Sequence, residues 1–202
     1  MTTVTRSDQA TLGVACALGL LAVIGPASID MYLPSLPAMA VELGADYTTM
    51  QLTLTVFLLA MGGGQLIFGP IIDALGRRIP LLSAIVAFVL TSVWAAFAIS
   101  TESLIAARFF QGLSASLAIV TAMSSVRDVA EGVRATQIFA LLMTIQGLGP
   151  VIAPALGGLI GEAFGWRVVF MALSALGGLV FITSLLEVVR EIWTAEISGI
   201  SA

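Results

Sequence analysis

The sequence predicts an all-α membrane protein of six transmembrane helices, and three observations carry that expectation. Of the 202 residues, 59% are hydrophobic and 10% are charged, where a soluble domain carries about 25% charged side chains. The mean hydropathy is +1.09. Charges and turn residues divide the apolar sequence into stretches near residues 11–41, 50–72, 79–99, 103–125, 136–160 and 167–187. Each can cross a bilayer core, which takes roughly 20 residues of helix.

The first stretch follows a single cation, Arg6, and is too long for a signal-peptide core. It reads as a retained span behind a cytoplasmic N-terminus of residues 1–10. Gly13-Val14-Ala15-Cys16 faintly resembles a lipoprotein cleavage site but lacks leucine three places before the cysteine, so Cys16 reads as a small core residue. The second stretch begins after the break from Glu42 to Tyr47, the third after Asp73 to Arg78, and the fourth after Ser100 to Glu102. Arg127 to Arg134 precedes the fifth, and Glu162 to Trp166 precedes the sixth. None of these breaks holds a soluble domain, so residues 11–187 form one membrane domain, followed by a tail of residues 188–202. Gly62-Gly63-Gly64, Gly147, Gly149, Gly157-Gly158, Gly161 and Gly177-Gly178 lie in or beside spans. Small residues let membrane helices approach closely, so these glycines read as packing faces.

Eight arginines, no lysine and twelve acids leave a net charge of -4. Arg6, Arg77, Arg78, Arg127, Arg134 and Arg190 fall on one side of the six stretches and only Arg167 on the other. The positive-inside rule then puts both termini in the cytoplasm, for a multi-pass protein of the inner (plasma) membrane. No basic run interleaved with aromatics suggests nucleic acid. With one cysteine and no histidine, neither a disulfide nor a Cys/His metal cluster can form. No cofactor is expected. No nucleophile–base pair points to an enzyme.

Two charges sit within the apolar stretches. Asp30 lies in the first, among Pro26, Pro34 and Pro37, and Pro34 has no amide hydrogen for the carbonyl of Asp30 four residues earlier. A carboxylate at that depth costs several kcal/mol unless paired or protonated. Such a group can load and release a proton as its surroundings change. The competing reading makes Asp30 a solvated helix end near the outer water. Arg108 lies 5 residues into the fourth stretch, roughly 7.5 Å along a helix. Gln111 and Ala115 share its face, beside a groove of Gly112 and Ser116. Opposite charges in different spans are least costly together, so Asp30 is expected to pair with Arg108, directly or through water. Alternatively, Arg108 snorkels or only locks helices together.

Gly69-Pro70-Ile71-Ile72-Asp73-Ala74-Leu75-Gly76-Arg77-Arg78 resembles the major facilitator signature G-x-x-x-D-R-x-G-R-R between helices two and three. The departure is Ala74, where the family usually has arginine. Asp30-Met31-Tyr32-Leu33-Pro34-Ser35-Leu36-Pro37 resembles the first helix of Bcr/CflA-type drug:proton antiporters. Arg108-Phe109-Phe110-Gln111-Gly112 is similar to the arginine motif of helix four, and Val126-Arg127-Asp128 to the cytoplasmic loop after it. Gly149 with Ala153-Pro154-Ala155-Leu156-Gly157-Gly158 resembles the antiporter motif of helix five, with alanine for the glycine before proline. Gly165-Trp166-Arg167-Val168-Val169-Phe170 opens helix six as in that branch.

The resemblance implies one six-helix half of a major facilitator fold and proton-coupled efflux of small hydrophobic drugs, of the chloramphenicol or bicyclomycin kind. Asp30 would carry the proton and Arg108 would sense its charge. Gly69, Asp73, Gly76, Arg77 and Arg78 would gate, while Gly149, Pro154, Gly157 and Gly158 would form a bendable interface. Tyr32 and Gln111 are the candidates for drug contact. Members of the family have two such halves, so a second half or a homodimer is the expected partner, beside substrate, protons and lipid. Residues 191–202 do not resemble the family's central loop, as in a truncated product. The rival expectation is an inactive, partner-dependent half or a structural membrane subunit.

Overall fold

A computed structural model describes residues 19–75, 78–129 and 132–200. Helix α1 covers residues 19–30. A 3-10 turn, Leu33–Ser35, leads into α2, Leu36–Glu42. Then come α3 (Tyr47–Leu75), α4 (Arg78–Ala96), α5 (Thr101–Val129), α6 (Gly132–Phe164) and α7 (Trp166–Ile200). No strand occurs among the described residues. Six spans are long and apolar enough to cross a membrane: Gly19–Glu42, Tyr47–Ile72, Ile79–Ala96, Thr101–Ser125, Thr136–Phe164 and Trp166–Leu186. They answer the six predicted stretches one for one.

The first stretch differs from the expectation of one continuous segment. Its helix stops at Asp30, bends at residues 31–32 and resumes beyond the 3-10 turn. Pro34 and Pro37 each stand in the first turn of the piece that follows, where a missing amide hydrogen costs nothing. Span five runs four residues beyond its predicted end and stops at Gly165, whose φ of 87° suits glycine at a helix C-terminus. Its amide closes the last turn on the carbonyl of Gly161 at 2.9 Å. Between α2 and α3, Asp46 caps α3 by accepting from the Thr49 amide at 3.3 Å and from the Thr49 hydroxyl. Those bonds hold its carboxyl below the usual carboxylate range.

The bundle is organised around α5, which packs on α3 and α4, while α4 also packs on α7. Glycines set the closest approaches. A Cβ at Gly112 would overlap the Phe57 carbonyl oxygen, and one at Gly64 would press on Ser116. At Gly177 it would meet Val89 and Phe88 at about 3 Å. Gly62, Gly63, Gly147 and Gly178 correct the expectation that every span glycine marks a packing face, because nothing stands within 4 Å of a Cβ there. Successive helical residues are turned by about 100°, so only one of three consecutive glycines can face a given neighbour.

Polarity runs inside out. Arg108, Gln111, Ser116 and Thr121 are buried on α5, while Leu59, Leu66, Val151 and Leu159 are exposed. That is the arrangement of a bundle whose solvent is hydrocarbon.

Candidate functional site

Arg108 is fully buried and is the largest such side chain among the described residues. Its Nη1 donates to Gln111 Oε1 at 2.6 Å, one helical turn on, and its Nη2 donates to the Ser28 carbonyl of α1 at 2.9 Å. Gln111 passes the network on, its Nε2 donating to Ser92 Oγ of α4 at 2.7 Å. The guanidinium carbon lies 4.1 Å from the Phe57 ring centroid and 4.3 Å from that of Tyr32, with Phe170 at 5.8 Å. Carbonyl dipoles and ring faces thus surround the cation, both of which attract it strongly in a desolvated place. Its Nε is buried without a partner.

The expected pairing of Asp30 with Arg108 is not formed as a direct contact. Asp30 is half-buried at the end of α1, and the donors of Arg108 go to Gln111 and Ser28. The helix explains it: Asp30 stands two residues beyond Ser28, about 200° round the axis. Tyr32, four residues past Ser28 and in the bend beyond α1, meets Arg108 with its ring.

Tyr32 and Gln111, the candidates for drug contact, are fully buried. Tyr32 shares a hydrogen bond with Thr53 at 3.3 Å and packs on Phe170 at 5.7 Å between centroids. Both residues are thus committed to Arg108 and its surroundings.

The helix-five motif meets the broken first span. A Cβ at Gly149 would overlap Pro26, one at Gly157 would overlap the Met31 carbonyl, and one at Gly161 would overlap Ser35 Oγ. Gly158 faces Pro34 at 3.7 Å. Gly149, Ala153, Gly157 and Gly161 recur every four residues, a small-residue stripe that brings α6 onto the backbone around Asp30. Pro154 lies within α6, which continues through it and through Pro150 as one helix.

Of the turn expected to gate, Gly69 is half-buried in α3, while Gly76 and Arg77 lie outside the described residues, as do the side chains of Asp73 and Arg78. The side chains of Arg127 and Asp128 are likewise outside them.

Sequence reasoning missed Phe57 and Phe170 as partners of the cation, and Ser28 and Ser92 as its relay. It also missed a second cluster. Glu42, at the end of α2, accepts from Trp166 Nε1 at 2.7 Å and forms an ion pair with Arg167. Arg167 Nη2 also donates to the Ala98 carbonyl at 3.2 Å, so spans one, three and six are tied at one end. The signal was the opposite charge of Glu42 and Arg167 on one predicted side.

A metal site is absent from this picture: no cluster of three or more potential ligands occurs among the described residues.

The family model for the Major Facilitator Superfamily matches residues 18–197. An uncharacterized MFS-type transporter, YdgK of Bacillus subtilis, is 44% identical over 168 residues, covering 82% of this chain and 42% of its own. The chloramphenicol resistance protein of Pseudomonas aeruginosa is 38% identical over 165 residues, or 81% of this chain and 39% of its own. The multidrug resistance protein MdtL of Shewanella oneidensis is 35% identical over 176 residues, or 87% and 44%. The chain therefore spans about two fifths of the length of these relatives. A match over most of the chain, with relatives above 30% identity and six apolar helices in the structure, establishes that this multi-pass membrane protein belongs to the major facilitator superfamily, a family of transporters and not of enzymes.

Proposed function

We propose that the protein serves proton-coupled efflux of small hydrophobic drugs, with a second six-helix half or a second copy completing the path. One observation carries the reading: a fully buried arginine holds the Ser28 carbonyl, two residues from the carboxyl group of Asp30, and no carboxylate among the described residues pairs with it. Deprotonated Asp30 would compete for the guanidinium and draw it from that carbonyl and from Gln111. Protonated Asp30 would release it. Each proton would thereby make or break a tie between α5 and the bend of span one. Drug contact by Tyr32 or Gln111 would disturb the same cation, which links substrate to proton. Asp73 to Arg78 would hold the cytoplasmic end shut, and the Gly149 to Gly158 seam would let α6 slide on the bend. The names of the resistance proteins among its relatives support the substrate class, and the arginine distribution supports cytoplasmic termini in the plasma membrane.

A second reading is favoured by the same cage. Arg108 is well held without Asp30, as it would be in a structural or partner-dependent half that transports nothing by itself. Chloramphenicol-driven proton release from the purified protein decides between them, compared with Asp30→Asn. Release that disappears in the variant supports coupling. No release from folded protein supports the second reading.

A further inference from the structure

An apolar cavity of about 380 Å³ lies between α1, α6 and α7. Ala27 lines it from α1 and Met31 from the bend that follows, Ile145 and Leu156 bound its run along α6, and Ala172 and Leu176 face it from α7. Every lining side chain is aliphatic or a thioether, and the one further contributor is Gly149. The stretch of α6 from Ile145 to Leu156 is about 16 Å long at 1.5 Å per residue. It is centred in the span Thr136–Phe164, so the cavity is elongated along the helices at mid-depth.

These features restrict the occupant. Water needs two to four polar partners and finds none. A drug-sized ligand is normally oriented by a few placed polar groups, which are missing, and its own polar atoms would lose their hydrogen bonds. A partner helix is about 10 Å across, so a 16 Å length would need about 1,300 Å³, more than the roughly 860 Å³ of empty space present. An alkyl chain loses no hydrogen bond on entering, and chains running in this direction are the surrounding solvent. Left empty, the lining would forfeit dispersion contacts.

We propose that this cavity holds one acyl chain of a bilayer phospholipid. The chain lies against Met31, beside the bend at Asp30, and fills the space that separates α6 from α7. Met31, soft and unbranched, adapts to it. Lipid is thus a structural component of the α6 attachment, whatever the protein transports.

The test uses the protein reconstituted in vesicles of dioleoyl phosphatidylethanolamine and phosphatidylglycerol, extracted in detergent and weighed by native mass spectrometry. The wild-type protein should retain one phospholipid through detergent washing, with either headgroup, because no lining group reads a headgroup. Ala172→Trp, which fills the cavity, should lose it while melting cooperatively at or above the wild-type temperature. Leu176→Phe provides a milder filling if the tryptophan variant does not fold. Retention unchanged in a folded, filled variant overturns the proposal. So does retention confined to one headgroup, which indicates a polar site elsewhere, or displacement of the lipid by chloramphenicol, which makes the cavity a drug site.

Discussion

Spans four and five are long, apolar helices of one bundle, yet they occupy opposite environments. In the most apolar part of each, 56% of span four is buried and 17% of span five. Span four carries Arg108, Gln111, Ser114, Ser116 and Thr121, all buried. Span five touches the rest mainly through its small-residue stripe. In water the more apolar helix would go inside. In hydrocarbon the polar one does, because its side chains find partners only there.

The largest expected effect tests the centre of span four. Arg108→Ala leaves a large void and strips partners from Gln111 and the Ser28 carbonyl. It should destabilise the fold by about 3–5 kcal/mol, read as unfolding in detergent. Wild-type stability would mean that α5 is not the organising helix. Next come the glycine seams. Gly112→Ala drives a methyl into the Phe57 carbonyl between two well-packed helices and should cost about 3 kcal/mol, whereas Gly157→Ala on the thinly attached α6 should cost about 1 kcal/mol because that helix can shift. A reversed order would show that α6 is the more tightly held. Gln111→Leu removes one interhelical bond, to Ser92, and one within α5, to Arg108, and should cost about 1 kcal/mol, at about 0.6 kcal/mol per bond in a membrane protein. Glu42→Gln keeps an acceptor for Trp166 and loses only an exposed ion pair, so its loss should stay below about 1 kcal/mol. Leu159→Ala, on the exposed face of α6, should change stability by less than about 0.5 kcal/mol.

The spans were legible because each is a long apolar run between charges; in span one the weak point was legible, because Pro34 removes a particular hydrogen bond, but not that the helix stops at Asp30. The bond from Arg108 to Gln111 was legible as a three-residue spacing on one face. Its aromatic partners were not: Phe57 is one of ten phenylalanines, and an apolar position in a membrane helix gives no sign of a cation above its ring. The expected pairing of Asp30 with Arg108 followed charge alone. It left out backbone carbonyls and ring faces, which compete for a guanidinium without appearing in a charge count. Glu42 and Arg167 stood on the same predicted side, but the fold alone selects a partner 125 residues away.

That separation has a consequence for biogenesis. Residues emerge at about 5–20 per second during synthesis, so the 125 residues between Glu42 and Arg167 take about 6–25 s to appear. Through that interval the Glu42 end of the first span has neither its cation nor the indole of Trp166. A newly made protein therefore finishes its oldest helix last, and a ribosome halted before residue 166 leaves that end unanchored.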